Sequence, residues 1–466
     1  REVVGSVPAF ERPALLRGGD FVFDMSEFAI IITTLKHLKR VDLTRRGWLQ
    51  RMAILALAGG AGCRTGIFCR RQGVLSCADD AFLEELERAT FRFFEECAHP
   101  RTGLVKDRSR ADGNDEREVA SIAATGFGLT ALCIADARGW LTREEARERT
   151  LAALRFLLNE MPHEHGFFFH FIHWGTGQRV WECEVSSIDT GLLLAGVLTC
   201  RAHFDDAEIR AAAIALYDRI DWRWLARGEL LGHGWKPENG FLAATWDSYC
   251  EQMLLYLMAI GSRGRALGPE SWHAWQRPIV RYRGYQFIGV NAPLFVHQYS
   301  HAWFDFRGRR DRYANYFENS VAATRAHRQF CLDLRGEFPH YSEDLWGITA
   351  SDSARGYAVW GGPPRQGAID GTLVPCAAAG SLPFLPEECV RCLRAMRERF
   401  GERIWKRYGF VDAFNPATGW VNPDVIGIDL GITLLMAENF RTEFVWRTFM
   451  RNPEMGFAMR RVGFVR

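Results

Sequence analysis

The chain has 466 residues, of which 48% are hydrophobic and 24% are charged, the composition of an ordinary folded protein. Its formal net charge of +2 argues against a nucleic-acid-binding protein, because such proteins carry a strongly basic surface. Twelve cysteines in a chain of this length do not make a disulfide scaffold. The length exceeds that of one small core, although large helical barrels of this size can form a single domain.

The first 78 residues differ in pattern from the rest, and we interpret them as a leader and linker. Residues 44–63 of this segment read TRRGWLQRMAILALAGGAGC. An Arg-Arg pair before a short, weakly apolar run is typical of a twin-arginine export signal, and the run is too short to span a bilayer. Cys63 is a candidate lipid-attachment site, although Gly60 stands where such sites usually carry Leu or Val. The alternative is a fortuitous Arg-Arg pair in an arginine-rich chain. We therefore predict a periplasmic or extracellular protein.

From residue 79 onwards, amphipathic and apolar helical segments alternate. A helix with one apolar face lies at a surface, whereas a helix that is apolar all round is buried. The amphipathic segments are 79–97, 142–161, 206–226, 270–279 and 386–400, and the apolar ones include 119–139, 187–200, 246–262, 370–384 and 427–441. The segment 319–333 completes the set as the sixth inner helix. Residues 334–369 resemble a loop, which leaves one outer helix unassigned. The alternation predicts an all-α fold, an (α/α)6 barrel of six inner and about six outer helices.

Acidic residues gather where the apolar helices begin. Asp189, Asp247, Glu251, Asp370 and Asp429 lie in the first turns of these helices, and the loops before the helices add Glu182, Glu184, Glu238 and Asp352. In a ring of inner helices, these starts converge on one cavity. Paired carboxyl groups across a cleft are what cleavage of a glycosidic bond requires, because one protonates the leaving oxygen while the other activates water or attacks the anomeric carbon.

Helix capping is the alternative explanation for several of these acids. Ser186 and Asp189 fit a capping box, and the acids that begin the other apolar helices could be plain N-caps. Glu251 is harder to explain in this way, because it lies four residues after the expected cap, inside an apolar helix. An unpaired carboxylate is costly there. Burial would raise its pKa and suit it to the role of a general acid.

Two loops rich in aromatic and polar residues, 163–181 and 294–311, have the composition of sugar-contact surfaces. In the second loop, His297 and His301 have the i, i+4 spacing of a zinc pair, but no Glu follows the first His as it does in HExxH. We therefore expect these histidines to donate hydrogen bonds to substrate or core, and we predict no metal and no other cofactor. The sequence also lacks a Walker loop and a GxSxG motif.

Many sequence blocks, in order, resemble the bacterial "glucoamylase-like" family, which includes glycoside hydrolase family 144, the endo-β-1,2-glucanases. The blocks include SSIDTGLLLAG at 186–196, WDSYCEQMLLYLMAIGS at 246–262 and GIDLGITLLMAENFR at 427–441. The resemblance runs from about residue 80 to 450, so we assign residues 79–466 to one glucoamylase-like catalytic domain. It implies an exported (α/α)6 barrel that hydrolyses β-1,2-glucan, with inversion and without a metal, to short oligosaccharides such as sophorose.

The family resemblance, together with the expected burial of Glu251, implies roles for individual residues. Glu251 would be the general acid and Asp429 the general base, with Glu184 and Asp189 contacting the sugar next to the cleaved bond. Further candidate substrate contacts are Trp235, Glu238, His297, Tyr299, His301, Asp352 and Asp370, of which Glu238 and Asp352 compete for the catalytic roles.

Two other functions remain open from the sequence. One is a glycosidase or transglycosylase that acts on another β-glucan, since related barrels make or transfer β-1,2-glucan. The other is a non-catalytic glycan-binding toroid, although binding alone does not require several acids in one cavity. In each case we expect a monomer, without a transmembrane span, that binds an oligo- or polysaccharide.

Overall fold

The computed structural model describes residues 75–290, 293–367 and 369–466. The predicted export signal at 44–63 and the candidate lipid-attachment site Cys63 lie outside the described residues. Across the described ranges, none of the helices combines the length and the apolar character needed to cross a membrane.

Fourteen α-helices occur in the described residues, and they alternate in burial along the chain. In order they are α1 Cys77–Glu96, α2 Ile122–Arg138, α3 Arg143–Asn159, α4 Ser187–His203, α5 Ala207–Asp218, α6 Met253–Gly261, α7 Glu270–Ala274, α8 Tyr299–Trp303, α9 Tyr316–Asp333, α10 Pro375–Ala379, α11 Pro386–Phe400, α12 Gly427–Thr442, α13 Phe444–Phe449 and α14 Pro453–Arg461. Three short 3-10 helices lie at Leu294–His297, Leu334–Gly336 and Gly401–Arg403.

The even-numbered helices α2 to α12 form the inner ring of an (α/α)6 barrel, and the odd-numbered helices α1 to α11 surround it. Every residue of α6, α8 and α10 is buried, as expected for helices that are apolar on all sides. The long outer helices bury one face, and four of them begin at polar caps, whereas α11 begins with Pro386. For example, Thr142 and Glu145 form a reciprocal capping box at the start of α3. The structure therefore confirms the predicted fold class.

The fourth helix pair differs from the sequence-based assignment. Residues 316–333 form an outer helix with one buried face. The inner helix of this pair is α8, a five-residue helix in the segment that the sequence suggested was a sugar-contact loop. Because a helix this short covers less than two turns, it leaves no periodic pattern in the sequence. The missing outer helix is thus α9, and the loop at 334–369 replaces no helix.

Nineteen strands of two to four residues decorate the described part of the barrel. They are β1 Arg108–Arg110, β2 Val119–Ser121, β3 His163–Glu164, β4 Phe167–Phe168, β5 Phe171–His173, β6 Val185–Ser186, β7 Ala226–Arg227, β8 Leu230–Leu231, β9 Gly234–Lys236, β10 Gly240–Phe241, β11 Ile279–Tyr282, β12 Tyr285–Ile288, β13 Ser351–Ser353, β14 Gly356–Ala358, β15 Trp405–Lys406, β16 Gly409–Phe410, β17 Phe414–Asn415, β18 Trp420–Val421 and β19 Asp424–Ile426. Apart from the three-stranded sheet β10-β9-β6, the sheets have two strands, and all these pairings are antiparallel. Such short strands are invisible to a search for alternating residues.

Helices α13 and α14 cover the C-terminal ends of the inner ring. The indole N–H of Trp446 in α13 donates to the carbonyl of His301 in α8 at 2.6 Å, and the amide of Asn452 donates to the carbonyl of Leu198 in α4 at 2.9 Å. The first bond satisfies a carbonyl that the end of α8 leaves without a partner, and the second ties the start of α14 to the last turns of α4. One end of the ring is thereby closed, and the N-terminal ends of the inner helices form the other.

Close packing of α2 against α4 depends on two glycines. A Cβ on Gly196 would lie 2.1 Å from the carbonyl oxygen of Gly126, and a Cβ on Gly126 would lie 2.3 Å from the carbonyl oxygen of Leu192. Because backbone atoms cannot yield as a side chain can, we expect Gly126→Ala to force the helices apart. The expected loss is about 3 kcal/mol of the free energy of unfolding, measured by denaturant unfolding. Gly336→Ala, where a Cβ meets nothing within 4 Å, should change it little; equal losses would contradict this explanation.

Candidate active site

Short strands bring the loops before three inner helices to the same end of the barrel. Strands β2, β6 and β19 run directly into α2, α4 and α12, and β19 pairs with β1, so that Arg108 lies opposite Ile426. Strand β6 pairs with β9, with Val185 opposite Trp235. The N-terminal ends of the inner helices therefore carry the polar loops, as the sequence predicted.

One half of the site lies before α4 and consists of two carboxylates around an imidazole. Asp189 occupies the third position of α4, where its N–H donates to the hydroxyl of the N-cap Ser186 at 3.3 Å. Glu184 Oε1 lies 3.0 Å from Nδ1 of His170, and Asp189 Oδ1 lies 3.5 Å from Nε2 of the same ring. Ser186 therefore caps the helix by accepting from the N–H of Asp189, while the side chain of Asp189 is free of a capping role and faces the site.

The imidazole of His170 is the cation of this half-site. Burial opposes its charge, but the carboxylates of Asp189 and Glu184 outweigh burial and raise the pKa of His170 to about 9. Conversely, although burial acts to raise it, the hydrogen bond and charge of His170 lower the pKa of Glu184. The ligand atoms of these three residues lie within 4.8 Å of one another, close enough to hold a metal ion. A protonated His170 pairs with both carboxylates, whereas a metal ion would require the neutral ring, because an imidazolium has no lone pair for a metal.

Glu251 lies in the turn immediately before α6, so the sequence-based placement inside the helix, four residues after an Asp247 cap, is wrong. The helix begins at Met253 and has no side-chain cap. The hydroxyl of Ser300 in α8 donates to the carbonyl of Glu251 at 2.6 Å and fixes its backbone. The thiol of Cys250 contacts its carboxylate. Burial, together with the nearby charge of Asp189, raises the pKa of Glu251. The buried Glu251 is therefore still suited to the role of a general acid.

The other half of the site pairs two buried carboxyl groups, Asp429 and Asp412. Asp429 is the third residue of α12 and is not a cap, because the N-cap position is occupied by Ile426. Burial raises the pKa of Asp429 to about 6, although contacts with Asp412 and the thiol of Cys376 act in the opposite direction. Burial and the neighbouring charge of Asp429 raise the pKa of Asp412 well above its usual range. Two carboxyls this close share one proton at neutral pH.

Asp412 is held by two donors on one of its oxygens. Its Oδ2 accepts from the backbone N–H of Asp352 at 2.9 Å and from the amide of Asn422 at 3.1 Å. Its Oδ1 is buried and has no partner of hydrogen-bond geometry. A buried oxygen without a donor favours the protonated carboxyl. We infer that the proton of the pair is on Asp412, which leaves Asp429 as the ionisable base.

Asp352 belongs to the same cluster through an arginine. Arg108 in β1 donates to Asp352 Oδ2 at 2.8 Å and to Asp107 Oδ2 at 2.9 Å. Asn422 also donates to Asp352, at 3.2 Å. Because two donors, one of them the guanidinium of Arg108, bind the same oxygen of Asp352, this residue orients its neighbours, and this geometry disfavours it as the catalytic acid.

Tyr299, the first residue of α8, lies between the two halves. Its hydroxyl is 3.5 Å from Asp429 Oδ1. Burial raises the pKa of Tyr299 far above its usual value, and the charges of both Asp429 and Glu251 contribute to the rise. The hydroxyl therefore lies within the electrostatic range of both predicted catalytic carboxylates. This position suits a donor to a sugar hydroxyl that lies between them.

Two predicted contacts in the β9–β10 hairpin lie away from the carboxylates. Trp235 is opposite Val185 and packs against Trp224, with ring centroids 5.7 Å apart. Since neighbouring residues of a strand point to opposite faces, Trp235 faces away from Glu184, whose side chain lies over Gly234. The exposed Glu238 forms a salt bridge with Arg179, which lowers the pKa of Glu238. The structure therefore does not bring Trp235 or Glu238 to the site.

The remaining predicted contacts have structural partners. Asp370 accepts from the N–H of Thr372 at 2.9 Å and shapes the loop five residues before α10, so it is not an N-cap. His297 is fully buried, with Nδ1 3.2 Å from the hydroxyl of Tyr249. His301 is also fully buried, with Nε2 3.1 Å from the hydroxyl of Ser320. Burial lowers the pKa of both rings, so neutral core histidines replace the predicted sugar contacts.

Three site residues were not recognised from the sequence as part of it. His170 lies in the loop 163–181, which the sequence suggested as a sugar-contact surface, and Arg108 lies in no segment singled out above. The roles of these two residues depend on partners 14 and 244 residues away. Asp412 follows the hairpin β15–β16 and reaches Asp429 only through the fold. Its one signal is the polar Asp within the apolar run YGFVDAF at 408–414.

The fold and site together define an (α/α)6 barrel whose inner-helix N-termini enclose a group of buried carboxylates. A family model described as "Putative glucoamylase" matches residues 243–453. The crystal structure of a protein described in the same words, from Bacteroides uniformis ATCC 8492, is 31% identical with a TM-score of 0.78, over 84% of this chain and 99% of that one. The chain belongs to this glucoamylase-like family.

Two further relatives are described as enzymes that act on β-1,2-linked glucans. An endo-beta-1,2-glucanase from Chitinophaga pinensis, solved as a sophorotriose and glucose complex, is 27% identical with a TM-score of 0.77, over 84% of this chain and 99% of that chain. An exo beta-1,2-glucooligosaccharide sophorohydrolase (non-reducing end) from Parabacteroides distasonis is 28% identical over 427 residues, covering 82% of this chain. The chain matches 58% of the length of that protein.

Proposed function

We propose that this protein is a glycoside hydrolase that cleaves β-1,2-glucan to short oligosaccharides such as sophorose. The observation that carries the proposal is the placement of two buried carboxyls, Glu251 and Asp429, at the N-terminal ends of α6 and α12 with Tyr299 between them. The β-1,2-glucan activities of the Chitinophaga and Parabacteroides relatives support the choice of linkage.

In an inverting displacement, Glu251 is the general acid and Asp429 is the general base. Glu251, protonated because burial raises its pKa, gives its proton to the oxygen that leaves the anomeric carbon. Asp429 takes a proton from a water molecule, and the water oxygen attacks the anomeric carbon from the opposite face as the C–O bond breaks. The products are two shorter saccharides, and the new reducing end starts as the α-anomer.

The remaining charges prepare the site for this reaction. The carboxylates of Glu184 and Asp189 can accept hydrogen bonds from sugar hydroxyls. The His170 imidazolium between them offsets one of their two negative charges. Arg108 balances Asp352 and Asp107. A protonated Asp412 beside Asp429 can donate to it and keep it oriented.

The test uses the full chain with linear β-1,2-glucan, and with laminarin and amylose as controls. We expect short oligosaccharides from β-1,2-glucan alone, and an α-anomer in the first NMR spectra. A first-formed β-anomer would overturn the inverting mechanism. Products from laminarin would indicate another β-glucanase, and products longer than the substrate would indicate a transglycosylase. Binding without products would indicate the glycan-binding toroid.

We also propose that the protein is exported, on the basis of Arg45, Arg46 and the short apolar run that follows them. Expression of the full chain in a bacterium with a twin-arginine pathway, followed by fractionation, tests the proposal. We expect the protein in the periplasm or medium, and retention in the cytoplasm when both arginines are changed to lysine. Equal export of that variant would overturn the twin-arginine assignment.

A further inference from the structure

Trp181 is an exposed aromatic ring held on a strained turn beside the His170 half of the site. The side chain is 65% exposed. Trp181 and Glu182 have φ of 56° and 48°, and the N–H of Cys183 donates to the carbonyl of Val180 at 3.2 Å. They thus occupy the two central positions of a tight turn that normally selects Asn and Gly. A strained conformation of this kind indicates a functional constraint.

The ring of Trp181 is linked to the carboxylates by a chain of contacts through the stacked rings of Phe171 and His170. It lies 5.2 Å from the ring of Phe171 between centroids, and Phe171 stacks on His170 at 3.8 Å with an interplanar angle of 16°. His170 contacts Glu184 and Asp189. Arg179 braces the turn by donating to the carbonyl of Cys183. The exposed face of Trp181 therefore borders the site, although Trp181 lies outside the carboxylate group.

Tyr357 is a second exposed ring, on the opposite half of the site. It lies directly opposite Asp352 in the β13–β14 hairpin, and such a pair places both side chains on one face. Arg108 and Asn422 hold Asp352, and the indole of Trp360 donates to the hydroxyl of Ser351 at 3.0 Å. The hairpin is thus anchored at the site, yet Tyr357 remains 57% exposed.

Burial of its hydroxyl and the charges of Asp429 and Asp412 raise the pKa of Tyr357 well above its usual value. The ring is therefore open to solvent on one side while its hydroxyl end lies near the predicted base. A rigid, amphipathic ring in such a position can cover the apolar C–H face of a sugar while its neighbours contact the hydroxyls.

We propose that Trp181 and Tyr357 are two aromatic platforms that hold glucose units of the β-1,2-glucan chain on opposite sides of the cleaved bond. This inference rests on the proposed function and extends it, because it assigns the substrate two further binding positions. The chain would run from the His170 half to the Asp352 half. Each ring would contribute binding, whereas neither would transfer a proton.

The test compares Trp181→Ala and Tyr357→Ala with Phe457→Ala, which removes a ring that is 45% exposed on α14 at the far end of the barrel. We expect KM for linear β-1,2-glucan to rise about tenfold in each platform variant, equal to about 1.4 kcal/mol, with little change in kcat. The double variant should show about the product of the two effects. Tyr357→Phe should keep the KM of the unaltered protein, because it keeps the ring, and Phe457→Ala should leave KM and kcat unchanged.

An unchanged KM in both alanine variants would overturn the proposal, as would an equal effect of Phe457→Ala. Calorimetric binding of the same glucan separates this inference from the proposed function. If the unaltered protein binds without cleaving, only the proposed hydrolysis fails, and the tenfold losses are then expected in Kd. If it neither binds nor cleaves this glucan, both fail.

Discussion

Glu251→Gln is expected to lower kcat on β-1,2-glucan about a thousandfold, which is within the range supplied by a general acid. Gln keeps the size and the hydrogen-bonding capacity of Glu but cannot give a proton to the leaving oxygen. KM should change little, because the amide still fills the turn before α6. Steady-state kinetics on linear β-1,2-glucan measures the effect. A loss of less than tenfold would remove Glu251 from the acid role.

The same substitution should not destabilise the fold. The pKa of Glu251 in the folded protein is raised by burial, so its ionisation costs stability as pH rises above the unfolded value. Replacing it with a neutral amide relieves that cost at neutral pH, and the melting temperature should stay the same or rise. A large fall in melting temperature would mean that the lost activity reports unfolding.

A substrate with a good leaving group separates the roles of the two carboxyls. An aryl β-glycoside of sophorose that releases a stabilised phenolate needs little protonation of its leaving oxygen. Glu251→Gln should therefore lose much less activity on this substrate than on glucan. A variant that lacks the base should lose activity on both.

The long helices of the fold could be predicted because their amino-acid composition indicates which of their faces are buried. Helices α2, α4 and α12 are apolar over at least three turns, and α11 alternates charged and apolar faces. Helix α8 could not be predicted, since five residues with two polar side chains give no period. Its burial is decided by the neighbours that enclose it, and those are distant in sequence.

The site residues divide in the same way into those that local sequence reveals and those that depend on distant partners. Asp189 and Asp429 were predictable, because an acid in the first turn of an apolar helix is a local pattern that the sequence shows directly. Asp412 was not, since its partners Asp429 and Asn422 come from other loops. The prediction that His297 and His301 contact the sugar was wrong. A polar residue among aromatic residues has the composition of a sugar-binding loop, but both imidazole rings have hydrogen-bond partners inside the core.

Asp429→Asn is expected to abolish detectable turnover, a loss of about a thousandfold or more, because the amide cannot take a proton from the attacking water. The matched control is Glu438→Gln on the same helix. Glu438 is buried near Arg138, 3.6 Å away, at the other end of α12, and should affect the melting temperature while leaving kcat unchanged. Equal loss in both variants would show that buried acids of α12 act only through stability.

The pH profile of the unaltered protein should report Asp429. Since the base must be ionised and its pKa is about 6, kcat/KM should fall as pH drops through about 6. Asp412→Asn should keep this limb, because the amide can donate to Asp429 as the protonated carboxyl does. Asp412→Ala removes the donor, so the pKa of Asp429 and the acid limb should rise by about one unit, the worth of one hydrogen bond to a charge. If the limb moves to lower pH in Asp412→Asn, then Asp412 is the ionised member of the pair, and Asp429 carries the shared proton.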